Sequence, residues 1–111
     1  MMQRLCGLAV VMGLIAALGL SASACGQQPF VDKFVLSDTI QPVTQSELDR
    51  AIARANSDGA RALLIEMDTP GGLLDSMRTM IGAILASKVP VIVYVAPAGA
   101  RAGSAGFYLL E

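Results

Sequence analysis

The sequence predicts an α/β protein built on a parallel sheet, and three observations predict it. Short apolar runs alternate with segments whose apolar residues recur every three to four positions, in the order strand, helix, strand, helix, strand, helix start. The two later apolar runs, Ala62 to Met67 and Val89 to Ala96, are nearly continuous, as in strands buried on both faces of a parallel sheet. Strands separated by helix-length connections form βαβ units, whose right-handed crossovers lay helices over the sheet.

Each element has its own justification. Phe30 to Ile40 has strand content in Phe30, Val31, Phe34, Val35, Leu36, Thr39 and Ile40, and Gln41-Pro42-Val43 breaks it. Thr44-Gln45-Ser46-Glu47 is a capping-box pattern, with a threonine at the N-cap and a glutamate three residues on. Leu48, Ala51, Ile52 and Ala55 then recur at helical spacing, and Gly59 suits the left-handed position that ends the helix. After the Ala62–Met67 strand, Asp68-Thr69-Pro70-Gly71-Gly72 interrupts. Leu73/Leu74, Met77, Met80/Ile81 and Ile84/Leu85 form an amphipathic helix closed by Ser87-Lys88. The Val89–Ala96 strand tolerates Pro90 near its start, where a missing N–H is harmless. A loop from Pro97 to Gly106 leads into Phe107-Tyr108-Leu109-Leu110, the first turns of another helix.

The 111 residues suffice for one small domain, and the first quarter reads as something else. Arg4 precedes an apolar stretch from Leu5 to Leu20, and Ser21-Ala22-Ser23-Ala24-Cys25 follows. A basic start, an apolar middle and a small-residue end make a secretory signal. The apolar stretch falls short of the roughly 20 residues a spanning helix needs, and an uncleaved N-terminal anchor stays open. Ala22-Ser23-Ala24 fits cleavage before Cys25, whereas Ser23-Ala24-Cys25 matches the end of a lipobox, which would place a lipid on Cys25. Cys6 lies within the apolar stretch, so the mature chain keeps one cysteine and no intrachain disulfide. Residues 1–26 are therefore read as signal or anchor, and 27–111 as the folded segment. The net charge of −1, with no basic patch, excludes nucleic acid as a natural partner.

Sites in open parallel sheets form at the carboxyl ends of strands. Two glycine-rich loops leave such ends, Asp68 to Gly72 and Pro97 to Gly106, and they meet if their strands are neighbours. One carries Gly71 and Gly72 before a helix; the other carries the hydroxyl of Ser104 with the N–H of Ala105 beside it. That set suits acyl transfer: a hydroxyl attacks a carbonyl, and fixed N–H donors hold the oxyanion, each worth roughly 3–4 kcal/mol. The residues alone leave a plainer reading open, in which Gly71-Gly72 is a turn and Ser104 a helix N-cap. Asp68 reads as a cap of its own turn, Glu66 as paired or near the sheet rim, and Arg101 as solvated or touching a substrate backbone. There is no phosphate-binding GxxxxGK and no GxGxxG, and with no histidine and few cysteines the sequence offers no metal site and no cofactor motif. The G-x-S-x-G elbow fails at Ala102, and its mechanism needs a histidine.

Taken together, Ala62 to Gly72, Val91 to Pro97 and Ala100 to Gly106 resemble the NfeD-type membrane-bound serine proteases, members of the Clp and signal-peptide-peptidase clan with the ClpP/crotonase-like fold. The resemblance runs from about Phe30 to Glu111 and rests on D-T-P-G-G and S-A-G at this separation. It implies a serine–lysine dyad in which Ser104 is the nucleophile and Gly72, with Gly71, and Ala105 supply the backbone oxyanion hole. In the family the base is a lysine some dozens of residues past the serine; Lys33 and Lys88 match no such position and read as solvated. The resemblance therefore implies that residues 27–111 are the N-terminal part of a protease domain whose general base lies outside this chain. It further implies an exported, membrane-associated, extracytoplasmic enzyme that forms a homo-oligomer, cleaves apolar segments of membrane proteins and is partnered by a stomatin-like protein. Two rivals share the fold: a non-catalytic membrane-tethered scaffold for a stomatin-like partner, and a crotonase-type acyl-thioester enzyme, against which the export signal argues.

Overall fold

The computed structural model describes residues 26 and 28–111; the export segment, apart from Gly26, and Cys25 lie outside them. Strands β1 (Asp32–Leu36), β2 (Leu63–Met67) and β3 (Val91–Val95) form one parallel sheet in the order β1-β2-β3. Helix α1 (Pro42–Asp58) joins β1 to β2, α2 (Leu74–Leu85) joins β2 to β3, and α3 (Ala105–Leu110) follows β3. The expected alternation is the observed order. Among the described residues, no helix is long and apolar enough to cross a membrane.

The chain steps across the sheet in one direction, so crossovers of one hand lay both helices on the same face. Helices α1 and α2 pack against each other, and α3 packs against α2 and β3. The register sets Phe34, Ile65 and Val93 level, and the two-residue alternation turns Leu36, Leu63, Ile65 and Met67 toward the helices. There they meet Leu48, Ala51, Ile52 and Ala55 of α1, Met77 and Met80 of α2, and Leu109 of α3. Burying a side chain the size of Leu48 or Met80, neither of which keeps any exposure, is worth roughly 1.5–3 kcal/mol.

Four sequence-based expectations need correction. The first strand is shorter than Phe30–Ile40: it ends at Leu36, and Ile40 returns only as an isolated bridge to Gly72. Helix α1 starts at Pro42, not after Thr44, because proline at the first helical position has its φ already set and no N–H to satisfy. Thr44 is thus inside the first turn, where its Oγ1 accepts the Gln41 N–H at 2.9 Å. Strand β2 is covered by helices on one face, not both, since both crossovers lie on the same side; Leu64 and Glu66 face the other side half-buried. Strand β3 is an edge strand and not a buried one, with Ile92 half-exposed. The close of α1 is as expected: Gly59 takes φ 75° and ψ 29°, and its N–H reaches the Ala55 carbonyl.

Candidate active site

Strands β2 and β3 are adjacent and parallel, so the loops leaving their carboxyl ends lie side by side. Main-chain bonds join them. The Thr69 N–H donates to the Arg101 carbonyl at 2.7 Å, and the Gly103 N–H donates to the Thr69 carbonyl at 2.9 Å, a parallel bridge between Thr69 and Ala102. Asp68 adds a side-chain tie: its Oδ1 accepts the Arg101 N–H at 3.1 Å. The sequence reading, in which Asp68 caps its own turn, is corrected: it caps the opposite loop. The Arg101 side chain is exposed.

The bridge brings Gly71 against Ser104. A Cβ on Gly71 would stand 2.7 Å from both the Ser104 Cβ and the Gly103 carbonyl oxygen, and Gly71 holds φ +107°. A Cβ on Gly103 would stand 2.7 Å from the Pro70 carbonyl oxygen, so both sides of the contact require bare backbone. Ser104, Gly71, Gly72 and Ala105, singled out from sequence, thus fall in one place at the ends of β2 and β3.

Ser104 is held unusually. Its φ is 48° and its ψ −117°, and it is the one non-glycine residue with positive φ among those described. The Gly106 N–H donates to the Gly103 carbonyl at 2.9 Å, closing a turn with Ser104 at its first central position. Those angles match a type II′ turn, where glycine is the usual occupant. A non-glycine residue in such a sparse region costs about 1–3 kcal/mol. Although Ser104 occupies the N-cap position of α3, its side chain makes no capping hydrogen bond, and the residue is exposed. The N-cap reading therefore fails: the strain is not offset by a cap.

The candidate donors separate. The Gly71 N–H is engaged, donating to Thr69 Oγ1 at 3.1 Å. The Gly71 carbonyl accepts the Ile40 N–H at 2.9 Å, and the Leu73 N–H donates to the Ile40 carbonyl at 2.8 Å. The N–H groups of Gly72 and Ala105 have no acceptor among the described residues. Gly72 also lies just ahead of α2, where the helix dipole favours negative charge.

Neither lysine belongs to this site. Lys33 projects from β1 on the open sheet face and ion-pairs with Glu66, whose Oε2 also accepts the Tyr94 hydroxyl at 2.8 Å. Lys33 is thus paired, not merely solvated, and Glu66 is paired as expected. The Glu66 carboxylate raises the Lys33 pKa, the opposite of what a base at neutral pH needs. Lys88 is exposed between α2 and β3. Sequence reasoning missed Thr69, a fully buried hydroxyl in the site; its signal was a second polar side chain, beside Asp68, in a turn otherwise made of proline and glycine.

The chain is similar to known proteins. The family model described as "NfeD1b, N-terminal domain" matches residues 31–110. The chain is 49% identical over 70 residues to membrane-bound protease PH1510 of Pyrococcus horikoshii, a match that covers 63% of this chain and 16% of that protein. It is 30% identical over 96 residues to membrane protein NfeD1b of Bacillus subtilis, covering 86% of this chain and 21% of the other. The chain thus spans about a fifth or less of these relatives. Among solved structures, a lysine-to-alanine mutant of the membrane-bound stomatin-specific protease 1510-N, in complex with a substrate peptide, superposes with a TM-score of 0.73 at 42% identity, covering 76% of this chain and 38% of that one. ClpP1 of Listeria monocytogenes, at 18% identity and a TM-score of 0.61 over 67% of this chain and 42% of its own, shares the fold.

Proposed function

The chain belongs to the NfeD1b N-terminal domain family and has a ClpP-like fold, and from that premise we propose that it is the nucleophile-bearing part of a serine endopeptidase. One observation carries the reading: Ser104 is held at positive φ, exposed and uncapped, against Gly71, while the N–H groups of Gly72 and Ala105 have no acceptor among the described residues. Backbone strain that no local bond offsets accumulates at functional sites. In this mechanism the Ser104 Oγ attacks the scissile carbonyl, and the N–H groups of Gly72 and Ala105 receive the oxyanion, with the α2 dipole behind Gly72. Gly71 contributes bare surface, its own N–H being engaged.

The base is a lysine outside these 111 residues, and the domain begun by 27–111 is completed by that further segment. A lysine must fall from its ordinary value near 10.4 to about 7–8 to take the serine proton at neutral pH, and burial lowers it. The pairing of Lys33 and the position of Lys88 support an outside source, as does the lysine variant among the related structures. The substrate is an apolar segment of a membrane protein. Leu73 and Leu74, directly after the glycine pair, and Phe107 and Tyr108, three and four residues past the serine, are all exposed by half or more. Residues 1–26 export the protein and hold it at the membrane, extracytoplasmically, by anchor or by lipid on Cys25. The partner is a stomatin-like protein, in keeping with the specificity in the name of the related protease, and the enzyme works as a homo-oligomer.

The test is labelling of the full-length polypeptide with a fluorophosphonate. Wild-type protein should label and Ser104→Ala should not. Equal labelling of the two removes the nucleophile, and no labelling of wild type in the presence of proteolysis removes the serine mechanism. A folded full-length protein with neither labelling nor proteolysis would favour the scaffold.

A further inference from the structure

We propose that Thr69 is a positioning residue of this site: its buried hydroxyl, by holding the Gly71 N–H, fixes the peptide that presents the Gly72 N–H to the oxyanion. The inference rests on the serine-peptidase reading and adds to it a residue that never touches substrate. Thr69 keeps no exposed surface. Its N–H and C=O both belong to the bridge that joins the two loops. Its Oγ1 accepts the Gly71 N–H at 3.1 Å and lies 3.5 Å from the Gly71 carbonyl oxygen. Its methyl fills the space against Gly106, where a Cβ on that glycine would stand 2.5 Å from Thr69 Cγ2.

The geometry explains why the hydroxyl matters. Two peptide planes meet at Gly71, whose φ of +107° leaves it conformationally free. The plane before it packs against Gly103 through the Pro70 carbonyl, and its hydrogen bond among the described residues is the one from the Gly71 N–H to the Thr69 hydroxyl. The plane after it is held by the Ile40 N–H on the Gly71 carbonyl at 2.9 Å. A peptide is planar and trans, so the N–H of that second plane, which is Gly72's, points away from Ile40. With both planes held, the Gly72 N–H has one direction. The Ile40 bond holds the second plane at its carbonyl oxygen, about which the plane can still tilt. The Thr69 hydroxyl on the other side of Gly71 removes that tilt. Without it the donor is less fixed before the reaction begins, and fixed donors are the condition for strong oxyanion stabilisation.

The experiment measures, in the full-length polypeptide, inhibition constants for the peptide aldehyde acetyl-Leu-Leu-norleucinal and for its alcohol, by protection of the serine against a fluorophosphonate. The aldehyde forms a hemiacetal with the serine and places an oxygen in the oxyanion hole; the alcohol cannot. The ratio of the two constants reports the hole, and a merely structural loss of folded protein leaves it unchanged. Thr69→Val, which keeps the shape and removes the hydroxyl, should lower the aldehyde preference about tenfold or more. Thr69→Ser should stay near wild type. An unchanged ratio in Thr69→Val, or an equal fall in Thr69→Ser, overturns the inference, since the second would assign the effect to the methyl. If Thr69→Val does not fold, Thr69→Ser and Thr69→Cys replace it. Both lack the methyl and differ in hydrogen-bond strength, so the preference should follow the oxygen, and equal ratios overturn the inference. Ser104→Ala, which has no serine to protect, is read by calorimetric binding of the same two ligands and separates the underlying reading: it must abolish the aldehyde preference, and a preference that survives there removes the serine mechanism itself.

Discussion

At the scale of single residues, the site is a set of conformational demands. Ser104 occupies angles that favour glycine, and Gly71 occupies a space that excludes a side chain. Ser104→Gly and Ser104→Ala both remove the hydroxyl, but only glycine relieves the backbone. The glycine variant should be about 1–2 kcal/mol more stable than the alanine variant, read by chemical denaturation of the intact protein. Equal stabilities would mean the backbone at Ser104 is unstrained. Gly71→Ala should do the reverse, losing about 2 kcal/mol or more through its φ and the contact with Ser104, together with loss of fluorophosphonate labelling. The identity of these residues was legible in the sequence; their conformation was not. A serine before an apolar helix reads equally as a cap, and only the positive φ and the missing capping bond separate the two readings.

At the scale of elements, periodicity identified every strand and helix, and errors gathered where a tertiary contact set the boundary. Pro42 reads as a breaker in isolation and acts as a helix starter because it follows an extended Gln41 at the N-cap, whose N–H the Thr44 hydroxyl accepts. The openness of one sheet face was invisible in β2, since Leu64 there is as apolar as Leu63. That face carries a polar row across all three strands, Lys33 with Glu66 and Tyr94 with Glu66. Lys33, and then Tyr94, hold the Glu66 carboxyl below its usual value, while Glu66 raises both Lys33 and Tyr94. A lowered carboxylate stabilises above its unfolded pKa and ceases to as pH falls through the folded one; the raised groups stabilise below theirs and cease to as pH rises. The melting-temperature gap between wild type and Glu66→Gln should therefore be greatest near neutrality, closing below about pH 4 and again above about pH 10. A gap independent of pH would show that the row adds no charge-dependent stability. On the other side, Asn56 of α1 accepts the Val89 N–H at 3.1 Å and the Ser87 hydroxyl at 3.3 Å. Asn56→Ala should cost about 1–2 kcal/mol by unfolding measurements, since the Val89 N–H loses its partner where the chain enters β3.

At the scale of the whole molecule, the layers are unevenly finished. One sheet face is packed by α1 and α2 with α3 beside them, and the other presents Val35 and Ile92 about half-exposed. A groove of about 250 Å³ runs between α2, β3 and α3, lined by Ile81, Ile84, Val91 and Val93 among others, and it lies apart from Ser104. Apolar surface of this kind binds hydrophobic dyes when nothing covers it. If the domain is completed by a further segment, as proposed above, residues 27–111 alone should enhance the fluorescence of ANS, and the longer polypeptide should suppress that signal. Equal dye binding by the two would mean these surfaces stay open in the complete protein.

The Thr69–Ala102 bridge has a consequence for how the site tolerates change. The two loops are joined chiefly through main-chain atoms, which every amino acid supplies except the proline nitrogen. A saturation scan should thus be permissive at Arg101, whose contribution to the bridge is its carbonyl and whose side chain is exposed. It should be intolerant at Gly71 and Gly103, where the requirement is for absent atoms. The region's mutational freedom would then run opposite to its chemical richness, with the charged position drifting and the featureless ones fixed.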